Sequence, residues 1–243
     1  MYGVGITGRV SLGDSVVEYD PGRGRYRRMR SDGEVEVSLE VFGEHSLVAE
    51  PVHSLYVPEF ITRHILIELA DKSLIPPSSS IAFTVKIPVD LGVFVVGDDY
   101  YRLIDVIPLG KYYKYTLYGP HATLEEITGL ICRHWRSQLH YEKPVTEPGE
   151  CILEVEAVNE AEEPLFISKI LVDASFTPLF YERGTFNCYA GRVRLTVKGR
   201  GRGEVSYPRI QVPPGYVKAD APAELRPPPV PAVMWRTEMM WGL

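Results

Sequence analysis

The chain has 243 residues, 45% of them apolar, and a formal net charge of −6 at pH 7. That is enough for one large domain or two small ones with a real core, and the acidic balance disfavours non-specific attachment to nucleic acid or anionic membrane. No window approaches the roughly 18 apolar residues of a membrane span; residues 1–20 lack the apolar stretch of a secretory leader, so a cytoplasmic location is expected.

Cys132, Cys151 and Cys188 are widely spaced in strand-like contexts. They read as buried free thiols. A Cys132–Cys151 or Cys151–Cys188 bond is the alternative, favoured in a hyperthermophile. Two Asn and two Gln against twenty Pro point to a thermophilic source.

The opening is β-like, with short β-branched runs at Val4–Val10 and Ser15–Tyr19. Turns at Asp20-Pro21-Gly22 and Asp32-Gly33 bracket five arginines. In an extended segment Arg23, Arg25 and Arg27 share one face, with Arg28 and Arg30 on the other. The cluster is a candidate anion or nucleic-acid site. Its alternative is a charged edge strand that blocks edge-to-edge pairing, with acids following at Asp32, Glu34 and Glu36.

Glu34–Phe42 alternates strictly and predicts a half-buried antiparallel strand. Arg63–Ala70, Ile81–Pro88, Leu91–Val96, Tyr100–Ile107 and Tyr112–Tyr118 add further strands, with a Pro-rich turn at Leu74–Ser80. Thr123 and Glu126 form a capping box for one short helix that Gly129 ends. A strand through Ile131–Trp135 follows. After the turn at Glu147-Pro148-Gly149, Glu150–Asn159 alternates with Cys151, Leu153, Val155 and Ala157 on one face. Leu165–Ala174 and Gly184–Lys198 continue the pattern. From Pro213 the chain turns Pro-rich, and Pro227–Pro231 predicts a stiff polyproline spacer. The end is rich in Trp and Met, so Trp235, Met239, Met240 and Trp241 are candidate docking residues, for this chain itself, for a second copy or for another protein.

The pattern predicts an all-β protein of two Ig-like β-sandwich subdomains, with at most one short helix. Residues 1–120 form the first sandwich, 121–145 a connecting segment and strand, 146–212 the second sandwich, and 213–243 a Pro-rich arm.

Lys114–Gly119 (KYTLYG) followed by Gly129–Ser137 (GLICRHWRS) resembles the central signature of a mostly archaeal family, domain of unknown function 432. Ile152–Ala174, leading into Pro178–Tyr181, is similar to that family's second half. The resemblance runs to about Val197 and leaves the tail outside. The family pattern tends toward an aromatic where this chain has His134, and the loop Pro120–Thr128 is longer here. The resemblance implies a β-rich fold and an archaeal source, and no substrate, cofactor or catalytic residue.

Lys114, Tyr118, Arg133 and Trp135 are the candidate ligand-binding residues, because Arg beside aromatics holds anionic or planar molecules. An Arg stacked structurally on Trp is the alternative. Cys132 and His134 share a strand face but lack the further ligands a metal needs, and His45, His53 and His64 match no zinc spacing. No nucleophile elbow or phosphate loop is present. No metal, cofactor or catalytic residue is expected. The first reading is a non-enzymatic binding or assembly module, with a homo-oligomer or protein partner met through the C-terminal arm. The others are an anion or nucleic-acid binder using the arginines, and an enzyme of unknown reaction at Lys114, Tyr118, Arg133 and His134.

Overall fold

Apolar and polar residues alternating over short runs punctuated by Gly and Pro dictate strands. Strands dominate the computed structural model, which describes residues 1–43, 45–98, 100–109, 114–119, 129–199, 202–226 and 237–239. In chain order they are β1 (Val4–Gly5), β2 (Gly8–Leu12), β3 (Ser15–Asp20), β4 (Arg25–Arg30), β5 (Val35–Glu40), β6 (Ser46–His53), β7 (His64–Ile75), β8 (Ser79–Val96) and β9 (Tyr101–Ile107). Then come β10 (Lys114–Tyr118), β11 (Leu130–Ser137), β12 (Glu150–Asn159), β13 (Leu165–Asp173), β14 (Phe180–Glu182), β15 (Cys188–Gly199), β16 (Arg202–Ser206), β17 (Tyr216–Lys218) and β18 (Thr237–Met239). Among the described residues the only helical segments are two 3₁₀ turns, η1 (Ala174–Phe176) and η2 (Ala223–Leu225). Nearly all of the short helix expected at Thr123–Gly129 lies outside the described residues.

Three sheets form. The largest has ten strands, ordered β1-β6-β8-β12-β15-β14-β17, with β9 on β8, β16 on β15 and β18 on β16. The others are the four-stranded sheets β10-β11-β7-β13 and β2-β3-β4-β5. Pairing is antiparallel except for β11 with β7 and β12 with β15. The β2–β5 meander meets β9 through β4. Tyr26 Oη donates to Asp105 Oδ2 at 2.7 Å and Arg28 Nε to the same oxygen at 2.8 Å. The sheet containing β7 and β11 lies against the first half of β8, where Trp135 Nε1 donates to Lys86 O at 2.9 Å. One apolar cluster runs through all three sheets, so the two sandwich-like halves share a core.

Strand β8 joins these halves. Its 18 residues were expected as two strands separated at Pro88. Instead the strand runs through and changes partners there. Ser79–Pro88 pairs with β12, and Val89–Val96 pairs with β6. Pro88 has no N–H to donate, and it falls at the last pair of the β12 ladder, opposite Glu150. Pairing also crosses the boundary expected at residue 120. β7 pairs with β11 and β13, so the N-terminal half supplies strands to both sandwiches.

Two of the cysteines differ from the free thiols expected and form the alternative Cys151–Cys188 pairing, while Cys132 stays a buried free thiol. Cys151 on β12 and Cys188 on β15 are bonded, with Cα atoms 4.6 Å apart, and both are buried. The parallel register sets Ile152 opposite Tyr189 and so brings the preceding cysteines side by side. Gly191, at φ +81°, lies in the bulge that shifts this register between Ile152 and Glu154. Cys132 is the remaining free thiol, and burial pushes its pKa up to about 12.

The bond closes a separation of 37 residues. Loop-closure entropy then gives a stabilisation of about 3–4 kcal/mol. Peptide mapping without reductant is expected to recover Cys151 linked to Cys188, and the double Cys→Ala variant to unfold at lower denaturant by that amount. Three free thiols in protein purified without reductant would contradict the pairing.

Candidate functional site

The residues singled out by sequence do not converge. On β10 and β11, Lys114 stands opposite His134 and Tyr118 opposite Leu130, whereas Arg133 stands opposite Tyr115. Alternation therefore puts Lys114, Tyr118 and His134 on one face and Arg133 and Trp135 on the other. Arg133 is 2% exposed. Its guanidinium donates to Ser54 O at 2.9 Å and Val57 O at 2.6 Å, and lies 4.8 Å from the Tyr115 ring centre. It braces the loop after β6. His134 Nε2 pairs with Glu68 Oε2 at 2.9 Å. Among the described residues no group of three or more His, Cys, Asp or Glu is placed to hold a metal.

The arginine cluster has acidic partners. Arg23 lies 3.8 Å from Asp20, Arg28 pairs with Glu36 and Asp105, and Arg30 pairs with Asp32 and Glu34. Arg25 is exposed and stands between Asp20 and Glu40; Arg27 is half-buried, opposite Glu18. Of the docking candidates, Trp235, Met240 and Trp241 lie outside the described residues. The backbone at Met239 belongs to β18, which pairs with β16 of the same chain.

A different place has the features of a site. A cavity of about 320 Å³ is lined by residues 51–53, 174–179 and 218–222, with Tyr207, Ile210 and Leu225. Strand β6 ends at His53, opposite Val89 on β8, beside the partner switch. Across the cavity, β13 ends at Asp173 and the chain turns through η1. Asp173 Oδ1 accepts the Ser175 amide at 2.9 Å, and its Oδ2 accepts Arg63 Nε at 3.0 Å. This capping carboxylate satisfies donors that the turn leaves open. The Asp173 amide donates to Tyr207 Oη at 2.8 Å, and the Tyr207 ring packs on Phe176, 5.2 Å between centres. The third wall is tied down by buried Glu50, which accepts Tyr181 Oη at 2.8 Å and the Asp220 amide at 2.9 Å. The Ala219 amide adds a bond to Leu179 O at 2.9 Å.

Two polar groups on these walls stand apart. His53 is 4% exposed and Ser175 6%. His53 Nε2 donates to Thr177 O at 2.8 Å, which fixes the tautomer and leaves Nδ1 as a lone-pair acceptor. Neither Nδ1 nor Ser175 Oγ has a hydrogen-bond partner among the described residues. Burial drives the His53 pKa down to about 4, against the opposing pull of the Thr177 carbonyl and the Asp173 charge. The imidazole is neutral at physiological pH. The arrangement provides a partly open, mainly apolar cavity, with His53 Nδ1 and Ser175 Oγ packed out of reach of solvent behind its lining. His53 appeared in the sequence only as an unmatched zinc candidate, and Ser175 gave no signal. The cue available was a histidine closing a β run, and an Asp-x-Ser turn after another.

Comparison with known proteins adds a family and nothing finer. The chain matches the family model described as "Protein of unknown function (DUF432)" over residues 1–240, so the match extends through the tail that the resemblance left out. No curated protein and no solved structure matches it. No described helix is long and apolar enough to cross a membrane.

The His53 environment sets a pH dependence. The unfolded chain takes up a proton at His53 near pH 6.5 and the folded protein only near pH 4. Stability from this group is therefore complete above about pH 6.5 and is lost as pH falls toward 4, by about 3 kcal/mol. The difference in unfolding free energy between wild type and His53→Gln is expected to fall by that amount across this window in urea titrations. A constant difference would contradict it.

Proposed function

The chain belongs to the DUF432 family of unknown function, and from that premise we propose that it is a non-enzymatic binding module whose ligand site is the cavity between β6, η1 and η2. The observation that carries this reading is the enclosure itself, about 320 Å³ walled mostly by apolar side chains. An engineered apolar cavity of roughly 150 Å³ holds benzene, and natural small-molecule sites begin near 300 Å³. The size suits a molecule of two fused rings or a short branched chain. Four separate stretches form the walls, three of them tied down by hydrogen bonds at Thr177, Leu179 and Asp220, and such bracing preserves an opening that a core would otherwise close by packing. A binding role for the arginine face has less support, because Arg23, Arg28 and Arg30 already face carboxylates.

Naphthalene is a suitable first probe. At about tenfold excess over its Kd it is expected to raise the melting temperature by about 3–6 °C. Ala219, on the cavity wall, offers the control, since Ala219→Phe fills the space and is expected to abolish the shift. Leu225→Ala, which enlarges the same space, should keep it. No shift in the wild type, or an equal shift in folded Ala219→Phe, would overturn the reading.

A further inference from the structure

The sheet β10-β11-β7-β13 has an outer face that is independent of the cavity. Its inner face, with Ile65, Ile67 and Trp135, packs toward β8. Alternation turns Glu68, Lys114, His134 and Arg136 the other way. Arg136 on β11 and Lys169 on β13 both stand opposite Glu68, and Lys72 lies further along the same side of β7. We propose that this outer face docks single-stranded nucleic acid, with Lys72, Lys114, Arg136 and Lys169 holding phosphates and Phe166 stacking a base.

Charge carries the argument. Lys72, Lys114 and Arg136 are exposed and Lys169 is half-buried. Among the described residues none of these four makes an ion pair, whereas Arg28, Lys86, Arg192 and Lys198 each face a carboxylate. Glu68, in their midst, is bonded to His134 at 2.9 Å. That bond holds its carboxyl below the usual range, and the nearness of Lys169 and Arg136 adds to the effect. A chain of net charge −6 thus gathers uncompensated positive charge on one face. A polyanion that docks there gains by releasing its counterions.

Shape selects which polyanion fits. From β10 to β13 the sheet spans roughly 14 Å, wider than the roughly 12 Å major groove of a duplex. A flat sheet meets unpaired bases instead, and these stack on aromatic side chains. Phe166 is 60% exposed on this face, opposite Leu74 at 49%. Membrane attachment grows with the apolar area it buries. Here the cations stand among the polar side chains of Glu68, Thr116 and His134, which gives a bilayer little to take up.

Fluorescence anisotropy of the full chain with a labelled oligouridylate tests this across a salt series. Binding is expected to weaken with a log–log slope of about −2 to −3, roughly 0.7 for each of the four cations. Arg136→Glu with Lys169→Glu should cost about tenfold or more at low salt. The milder Arg136→Gln with Lys169→Gln should shrink the slope by about 1 to 1.5, a reading that stands even if the charge reversal fails to fold. Phe166→Ala should cost about tenfold. Arg9→Glu with Arg25→Glu, two exposed cations of the β2–β5 sheet, makes the same change in net charge and should bind as the wild type does. Absent or salt-independent binding, or equal weakening by that control, would overturn the proposal. So would tighter binding of a duplex, or capture on phosphatidylserine vesicles in place of the oligonucleotide.

Discussion

Everything in this molecule hangs on β8. An 18-residue strand is longer than either sandwich needs, and its two halves sit in different surroundings. Val89–Val96 lies between β6 and β9, while Ser79–Pro88 pairs with β12. Its core-facing side chains, among them Val85, Ile87, Val89, Leu91 and Val93, are fully buried. A single element thus joins the β6–β9 part of the ten-stranded sheet to its β12–β15 part, and the apolar cluster is continuous across all three sheets. The change of partner at Pro88 and Val89 also ends β6. The last residue of β6 is His53, and the loop beyond it is held by Arg133 on β11 and by Ser54 Oγ donating to Asp90 at 2.8 Å. The cavity opens beside this junction, where one strand leaves the sheet and another has yet to take its place.

Buried charge elsewhere in the fold is consistently matched. Glu50 receives a tyrosine hydroxyl and a backbone amide; Asp173 receives an amide and an arginine; Arg133 is met by carbonyls. Each of these tethers immobilises a wall of the cavity or the loop next to it. His53 Nδ1 and Ser175 Oγ are two of several buried side-chain polar atoms without a partner among the described residues, Tyr2 Oη and Arg27 Nε being others.

Much of the scaffold was legible from residue pattern. The alternation of Glu150–Asn159 placed β12 correctly, and Cys151, Leu153, Val155 and Ala157 are all buried as expected. The all-β character followed from the spacing of such runs. Register is a different matter. Period two says which residues share a face of one strand, but not which strand lies opposite, so Lys114 and Arg133 looked like neighbours in a pocket and turned out to face opposite ways. The disulfide stood only as one of two alternative pairings for the same reason, because it depends on a parallel pairing between strands whose cysteines are 37 residues apart. The cavity was hidden more deeply. Its walls come from four separated stretches, and none carries a motif, since apolar side chains around a void look like core in sequence. The proline at 88 misled in the opposite direction, suggesting a break where the strand merely changes partner.

The central claim is that the cavity lined by His53 and Ser175 is a binding site. The most direct measurement is anomalous diffraction from a crystal of the full chain soaked in 2-bromonaphthalene. The account predicts one dominant bromine peak inside the cavity. An empty cavity, with bromine gathered instead on exposed apolar residues such as Leu117 and Ile131, would contradict it.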